Sequence, residues 1–75
     1  MKAIKTKYLG PTDFRGGRMK ASDGDGNSIT EGYLHEYNPE QNHEIMADAL
    51  CRKMGWKGTL KGGWFENEMY WVFQD

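Results

Sequence analysis

One segment of this chain carries several independent helix signals, and it limits what the rest can form. Asn38 suits the N-cap, Pro39 the first helical position, and Gln41 the residue that closes a capping box. Gly55 suits the left-handed residue that ends a helix. Apolar residues between them recur at three- and four-residue spacing, which predicts one buried stripe formed by Ile45, Met46, Ala49, Leu50 and Met54. The sequence therefore predicts a single amphipathic helix over residues 39–54 that must pack on another layer.

Segments typical of β-strands lie on both sides of this helix. Residues 14–22 and 28–35 are joined by the turn-forming run Asp23–Asn27, and residues 57–64 and 68–74 are joined through residues 65–67. The predicted order is β-β-α-β-β, an α+β fold of two layers with one helix on a four-stranded antiparallel sheet. Residues 3–9 alternate apolar or β-branched residues with lysines, and we expect them to add an N-terminal edge strand.

The length and cysteine content limit the class of protein. Seventy-five residues form one domain, 1–75, and a chain of this size buries only about 60% of its unfolded surface. Cys51 is the only cysteine, so no internal disulfide can form, and a reducing, cytoplasmic compartment is expected. The sequence begins without a signal-peptide pattern, and no apolar run reaches the ~20 residues that cross a bilayer. We therefore expect a soluble protein with no membrane association.

The last predicted strand is apolar on both of its faces. Met69, Trp71 and Phe73 alternate with Tyr70 and Val72. One helix covers only one face of a sheet, so the other face needs water or another cover. The N-terminal segment, a second copy of the chain or a partner protein could cover it. We predict a partner-binding surface on this face, formed by Trp64, Tyr70 and Val72.

Charges are arranged in blocks along the chain. Positive residues dominate positions 1–20, whereas positions 21–48 contain acidic residues and no lysine or arginine. These blocks either pair across neighbouring strands or form separate positive and negative faces. The net charge of −1 argues against general attraction to nucleic acid. Flexible glycines between arginines nevertheless suit phosphate contact, so an alternative nucleic-acid or acidic-partner site consists of Lys5, Lys7, Arg15, Arg18 and Lys20.

No motif in the sequence predicts catalysis, a metal or a cofactor. The run Asp23–Asn27 resembles the start of a calcium loop, but Ser28 and Leu34 stand where that loop needs glycine and glutamate. His43 and Cys51 are too far apart on the predicted helix to share a metal. Cys51 lies beside the apolar stripe, which favours a buried thiol over a nucleophile. The expectation is a protein that is not an enzyme, with no metal site and no cofactor.

Three stretches carry a resemblance to known sequences. They are Lys7-Tyr-Leu-Gly-Pro-Thr12, Arg18-Met-Lys-Ala-Ser-Asp-Gly-Asp-Gly-Asn-Ser28 and Ala49-Leu-Cys-Arg-Lys-Met-Gly-Trp56. Together they resemble small uncharacterised proteins carried by bacterial phages and plasmids. The resemblance implies an accessory protein of a mobile element. By analogy with other small proteins of such elements, the size of the chain and this setting extend the expectation to inhibitors of host defence. Anti-CRISPR proteins, which act by blocking a surface, are one example. It assigns no role to any residue.

These observations lead to two predicted functions. The first is a non-enzymatic binding protein that acts by protein–protein contact, for example on a host defence complex, with a homodimer as one form of that contact. The alternative is a nucleic-acid-binding module that uses the basic N-terminal segment. The sequence names no partner and does not separate the two.

Overall fold

The computed structural model describes residues 3–13 and 16–74, and it confirms an α+β fold with one helix and an antiparallel sheet. The strands are β1 (Ala3–Leu9), β2 (Arg18–Asp23), β3 (Ser28–Gly32), β4 (Thr59–Phe65) and β5 (Glu68–Gln74). The helix α1 spans Pro39–Met54 between β3 and β4. The sheet has five strands in the order β3-β2-β1-β5-β4.

The N-terminal strand is present, but its predicted place at the edge is wrong. β1 pairs with β2 on one side and with β5 on the other, so it lies at the centre of the sheet and joins the two hairpins. The alternation of lysines with apolar or β-branched residues, which suggested an edge strand, has another cause. Ile4 and Thr6 are buried on one face, while Lys5 and Lys7 point to the other, as a central strand with one wet face requires.

Helix α1 has the bounds and caps that its sequence predicts. The Asn38 side chain accepts a hydrogen bond from the Gln41 N–H, and the Gln41 side chain accepts one from the Asn38 N–H. At the other end Gly55 has φ 75°. The Trp56 N–H donates to the Cys51 carbonyl at 2.9 Å, which closes a Schellman motif. Both ends are therefore specified by local chemistry.

The buried stripe of α1 is rotated from the predicted one. Ile45 is exposed and Ala49 is half-buried. The buried residues of the helix are Asn42, His43, Met46, Ala47, Leu50 and Cys51. Periodicity in apolar residues missed this because the stripe begins with two polar side chains, Asn42 and His43, whose polar atoms have partners inside the protein.

The core lies between α1 and the β1–β2–β5 region of the sheet. It consists of Ile4, Met19, Ala21, Met46, Ala47, Leu50, Cys51, Met69 and Trp71. The segment after the helix extends this layer, because Trp56 packs edge-on against Phe73 with ring centroids 6.4 Å apart. One face of the sheet is thus covered, and its other face is open. Within the described residues no helix is long and apolar enough to cross a membrane.

The bounds of β2, β3 and β4 differ from the sequence prediction. β2 begins at Arg18, while the predicted start at Phe14 lies outside the described residues. β3 ends at Gly32 because the chain then turns toward the helix, held by Asn42. β4 begins at Thr59, after Gly58 with φ 132°.

Candidate functional site

We call the uncovered side of the sheet the open face. Residues directly opposite one another in an antiparallel pair share a face, so the register identifies its members. They include the following side chains on four of the strands: Lys5, Lys7, Arg18, Lys20, Ser22, Lys61, Phe65, Glu68, Tyr70 and Val72. Basic residues of the alternative prediction and apolar residues of the first prediction thus lie on one surface.

Trp64 does not belong to the open face, and its predicted grouping with Tyr70 and Val72 is wrong. Trp64 is paired with Met69, on the side that bears the helix. The cause is the length of the turn. The hairpin turns through Glu66 and Asn67, so Phe65 is paired with Glu68 and takes the open-face position that a three-residue turn would have given to Trp64.

Cations line the centre of the open face. Lys7 and Lys20 are directly opposite one another on β1 and β2, and Lys5 lies two residues before Lys7. Such neighbours repel, because like charges directly opposite on adjacent strands are destabilising. Lys7 also lies 3.8 Å from the Glu68 carboxylate, and Glu68 is the one acidic side chain that the described strands place on this face.

Among the described lysines of the open face, only Lys7 is paired with a carboxylate across the sheet, that of Glu68. Within the described part of the chain, no salt bridge joins Lys5, Lys20 or Lys61 to an acidic residue. The Nε of Arg18 is buried and has no hydrogen-bond partner there either. Sequence analysis left two alternatives for the charge blocks, pairing across strands or separate charged faces. This surface fits the second alternative. The structure does not describe Arg15, so its predicted place in the basic cluster lies outside the described residues.

Aromatic rings flank the cations. Phe65 is 64% exposed and Tyr70 is 41% exposed, and their rings meet edge-on with centroids 6.1 Å apart. The Tyr70 hydroxyl donates to Glu68 Oε1 at 3.4 Å, a long bond. An edge-on pair leaves ring faces available to a flat ligand. Val72 adds an exposed apolar side chain next to Tyr70 along β5.

A hollow opens beside Tyr70. Its volume is 320 Å³, and its wall includes Lys5, Ser22 and Tyr70. These three side chains occupy neighbouring positions across β2, β1 and β5, because Lys5 is paired with both of the others. The hollow combines a cation, a hydroxyl and an aromatic ring with the acidic residue Asp23. The ring offers a flat surface for stacking, and Asp23 offsets the charge of Lys5.

The opposite side of the molecule carries the acidic residues of the helix. Glu40, Glu44 and Asp48 are exposed along α1, and Asp48 pairs with Arg52 at 2.9 Å. The net charge of −1 therefore conceals an open face whose cations outnumber its carboxylates. The net charge of the whole chain does not reveal this segregation of charge. The register of the strands is needed to show which residues share a face.

The other chemical candidates of the sequence have structural roles. Burial raises the pKa of the Cys51 thiol, and the nearby Asp48 carboxylate raises it further, so this thiol is protonated at neutral pH. The Asp23 carboxylate accepts from the Asp25 and Asn27 N–H groups, each at 2.9 Å, which is a turn geometry. Among the described residues no group of three or more His, Cys, Asp or Glu could hold a metal ion.

A buried network that the sequence did not predict joins the helix to the sheet. The Trp71 indole N–H donates to Thr6 Oγ1 at 3.0 Å, and Thr6 Oγ1 lies 2.7 Å from His43 Nδ1. Every partner is satisfied when the Thr6 hydroxyl donates to an unprotonated Nδ1. Burial lowers the pKa of His43, which keeps the ring neutral. This network fixes α1 over β1 and β5.

Comparison of the chain with protein-family models, with curated proteins and with solved structures finds no match. The geometry of the open face is therefore the basis for a functional proposal.

Proposed function

We propose that the protein is a non-enzymatic binding protein whose open face holds single-stranded nucleic acid. The observation that carries the proposal is the Lys7–Lys20 pair, two cations directly opposite one another on a surface that also presents Tyr70. Proteins that bind single strands without strong sequence preference combine a positive surface for the backbone with aromatic rings for the bases. The open face has both parts within a few strands.

The repulsion between these lysines supports a role in binding. A sheet selected only for stability would place opposite charges or a Thr–Thr pair at such positions, and each is worth roughly 0.2–1 kcal/mol. A phosphate between the two ammonium groups would convert this cost into attraction. Arg18, opposite Leu9 on β1, adds a further cation to this surface.

The shape of the surface favours a single strand over a duplex. Duplex reading in the major groove requires a protruding helix or a two-stranded ribbon. Here the only helix among the described elements carries Glu40, Glu44 and Asp48 on its exposed side, which would repel phosphates. The bases of a single strand are free to stack, and the exposed rings of Tyr70 and Phe65 offer sequence-tolerant stacking surfaces.

A second candidate function is contact with a protein through the same face. The observation in its favour is the exposed apolar group formed by Phe65, Tyr70 and Val72, which a partner or a second copy of the chain could bury. The cations beside it would orient an acidic partner.

The mobile-element setting, the role against host defence and the cytoplasmic location stay predictions that the resemblance and the composition supply.

The test of the first proposal is fluorescence anisotropy with labelled oligonucleotides of about 12 nucleotides, titrated at about 50 and 200 mM salt. Lys5→Thr and Lys20→Thr should each weaken binding and reduce the salt slope by about 0.7. Lys57→Thr is the control, since it removes an exposed lysine that follows the helix and lies outside the strands. Equal losses in all three variants, or no binding by the unmodified chain, would overturn the proposal.

Light scattering addresses the second candidate. If the chain is a dimer that Phe65→Ser converts to a monomer, the apolar group of the open face belongs to self-association. A monomer whose mass is unchanged by Phe65→Ser argues against self-association.

A further inference from the structure

The helix-bearing side holds a second surface that the proposed function does not use. A cleft of 350 Å³ lies where the N-terminal end of α1 meets β1 and the β4–β5 turn. Its wall includes the aromatic residues Tyr8, Tyr33, His43 and Trp64, together with Glu66. Glu66 is the one acidic residue that lines this cleft among the described residues.

The rings stand at steep angles to each other, as the walls of a box do. Tyr8 and Tyr33 meet at an interplanar angle of 76° with centroids 5.2 Å apart. His43 and Trp64 meet at 69° with centroids 4.8 Å apart. In an edge-on pair the edge of one ring covers one face of the other, so the faces of the first ring and the far face of the second stay open to a ligand. Tyr8 and Trp64 are 45% and 49% exposed, although both project from the side that carries the core.

The walls are held in place by the surrounding structure. The Tyr8 ring lies over Gly17, where a Cβ atom would overlap the Tyr8 hydroxyl. The Tyr33 N–H donates to the Gly17 carbonyl at 3.0 Å, which ties the second ring to the same point. The hydrogen bond between Thr6 Oγ1 and His43 Nδ1 holds the His43 ring in place. Preorganised rings lose little freedom when a ligand binds.

The backbone conformation of Glu66 is a second observation that supports a ligand site in this cleft. Glu66 has φ 58°, and among the described residues it is the one non-glycine residue with positive φ. Glycine or asparagine suits such a turn position better, and a non-glycine residue there is worth a functional explanation. The turn places Glu66 in the wall of the cleft, beside the aromatic residues.

These features define the ligand chemistry. Aromatic faces carry negative charge density, and boxes of tyrosine and tryptophan recognise quaternary ammonium groups. A carboxylate at the rim adds a matching charge. The positive end of α1 does not oppose this, because Pro39 has no N–H, Asn38 caps the Gln41 N–H, and Glu40 stands in the first turn. We propose that this cleft binds an alkylated ammonium group, by cation–π contact with Tyr8, Tyr33 and Trp64 and by charge attraction to Glu66.

The test is an NMR titration of the full chain with choline and, separately, with 3,3-dimethylbutan-1-ol, a neutral carbon analogue of the same shape. Choline should give saturable shifts of the Trp64 indole N–H, and the neutral analogue should bind about 3- to 10-fold more weakly. Glu66→Gln should weaken choline binding by a similar factor and leave the analogue unchanged. Glu68→Gln, which removes a carboxylate from the open face, is the matched control and should change neither.

Trp64→Leu preserves an apolar side chain while it removes the ring, and it should abolish saturable binding of choline; the amide spectrum of each variant reports whether it is folded. Equal affinity for choline and its neutral analogue would show an unselective apolar cleft and overturn the proposal. So would the absence of saturable shifts, or an equal effect of Glu66→Gln and Glu68→Gln. Oligonucleotide binding to the open face is independent of all these outcomes.

Discussion

At the scale of single residues, the two glycines in the middle of β4 have opposite requirements. A Cβ atom on Gly62 would lie 2.5 Å from Cε3 of the Trp71 ring, because that ring lies across the strand. A Cβ atom on Gly63 would have no neighbour within 4 Å, since it would project from the open face. The two sides of the sheet are thus distinguished at adjacent positions.

Gly62→Ala is therefore expected to destabilise the protein by about 1–3 kcal/mol, because the buried Trp71 ring must move. Gly63→Ala is expected to be neutral or to stabilise by up to about 1 kcal/mol, since it only reduces backbone freedom. Urea unfolding of the two variants measures the difference. Equal effects would contradict the close packing of Trp71 on Gly62.

His43 gives the stability a pH dependence whose sign follows from its burial. The folded protein holds this ring neutral, with a pKa below the ordinary 6.5. The unfolded chain takes up a proton more readily than the folded one as pH falls below 6.5. The contribution of His43 to stability is therefore complete above that pH and is lost as the pH falls toward the folded-state pKa.

We expect the free energy of unfolding to decrease between about pH 7.5 and about pH 5.5, and His43→Asn to flatten that decrease. Asparagine can still accept the Thr6 hydroxyl, so the variant tests titration apart from the hydrogen bond. His35→Asn is the control, because His35 is exposed. A wild-type pH slope retained in His43→Asn would assign the dependence to other groups.

At the scale of elements, the helix could be predicted from the sequence and the sheet only in part. Helix caps involve residues three or four positions apart, such as Asn38 and Gln41, so local sequence specifies them. The pairing of β1 with β5 joins residues near opposite ends of the chain, and no local pattern encodes it. The position of Trp64 was missed because one residue of turn length reverses both faces of a strand.

The segment between β3 and α1 depends on one buried side chain. Asn42 accepts from the Leu34 N–H at 2.8 Å, and its amide donates to the carbonyls of Leu34, Tyr37 and Asn38. No role was predicted for Asn42, because a polar residue interrupts the apolar periodicity of the helix. Its position explains why β3 is shorter than its sequence pattern predicted.

Asn42→Ala should destabilise the protein by about 2–4 kcal/mol, since it removes the bonds of a buried side chain to the Leu34 N–H and the Tyr37 carbonyl. Asn38→Ala, which removes an exposed cap, should cost only about 1 kcal/mol. Chemical unfolding of both variants gives the comparison. A loss for Asn42→Ala no larger than that for Asn38→Ala would show that water replaces the Asn42 bonds.

At the scale of the whole molecule, the central feature is the division of charge between two sides. Lysines concentrate on the open face, and carboxylates line the exposed side of α1. Stability alone does not account for Lys7 directly opposite Lys20. A substitution at Lys20 therefore tests the proposed binding role separately from stability.

Lys20→Thr should stabilise the fold by about 0.2–1 kcal/mol, because it relieves the repulsion and places threonine opposite Thr30. The same change should weaken oligonucleotide binding. Thermal unfolding and anisotropy on one preparation measure both effects. Loss of stability together with loss of binding would instead indicate a structural role for Lys20.

The most direct measurement is an amide NMR map of the chain titrated with a single-stranded oligonucleotide of about 12 nucleotides. The account predicts the largest shifts on β1, β2 and β5, centred on Lys5, Lys7, Lys20 and Tyr70, with the exposed side of α1 unaffected. Shifts centred on α1, or none at any concentration, would contradict the claim that the open face binds single-stranded nucleic acid.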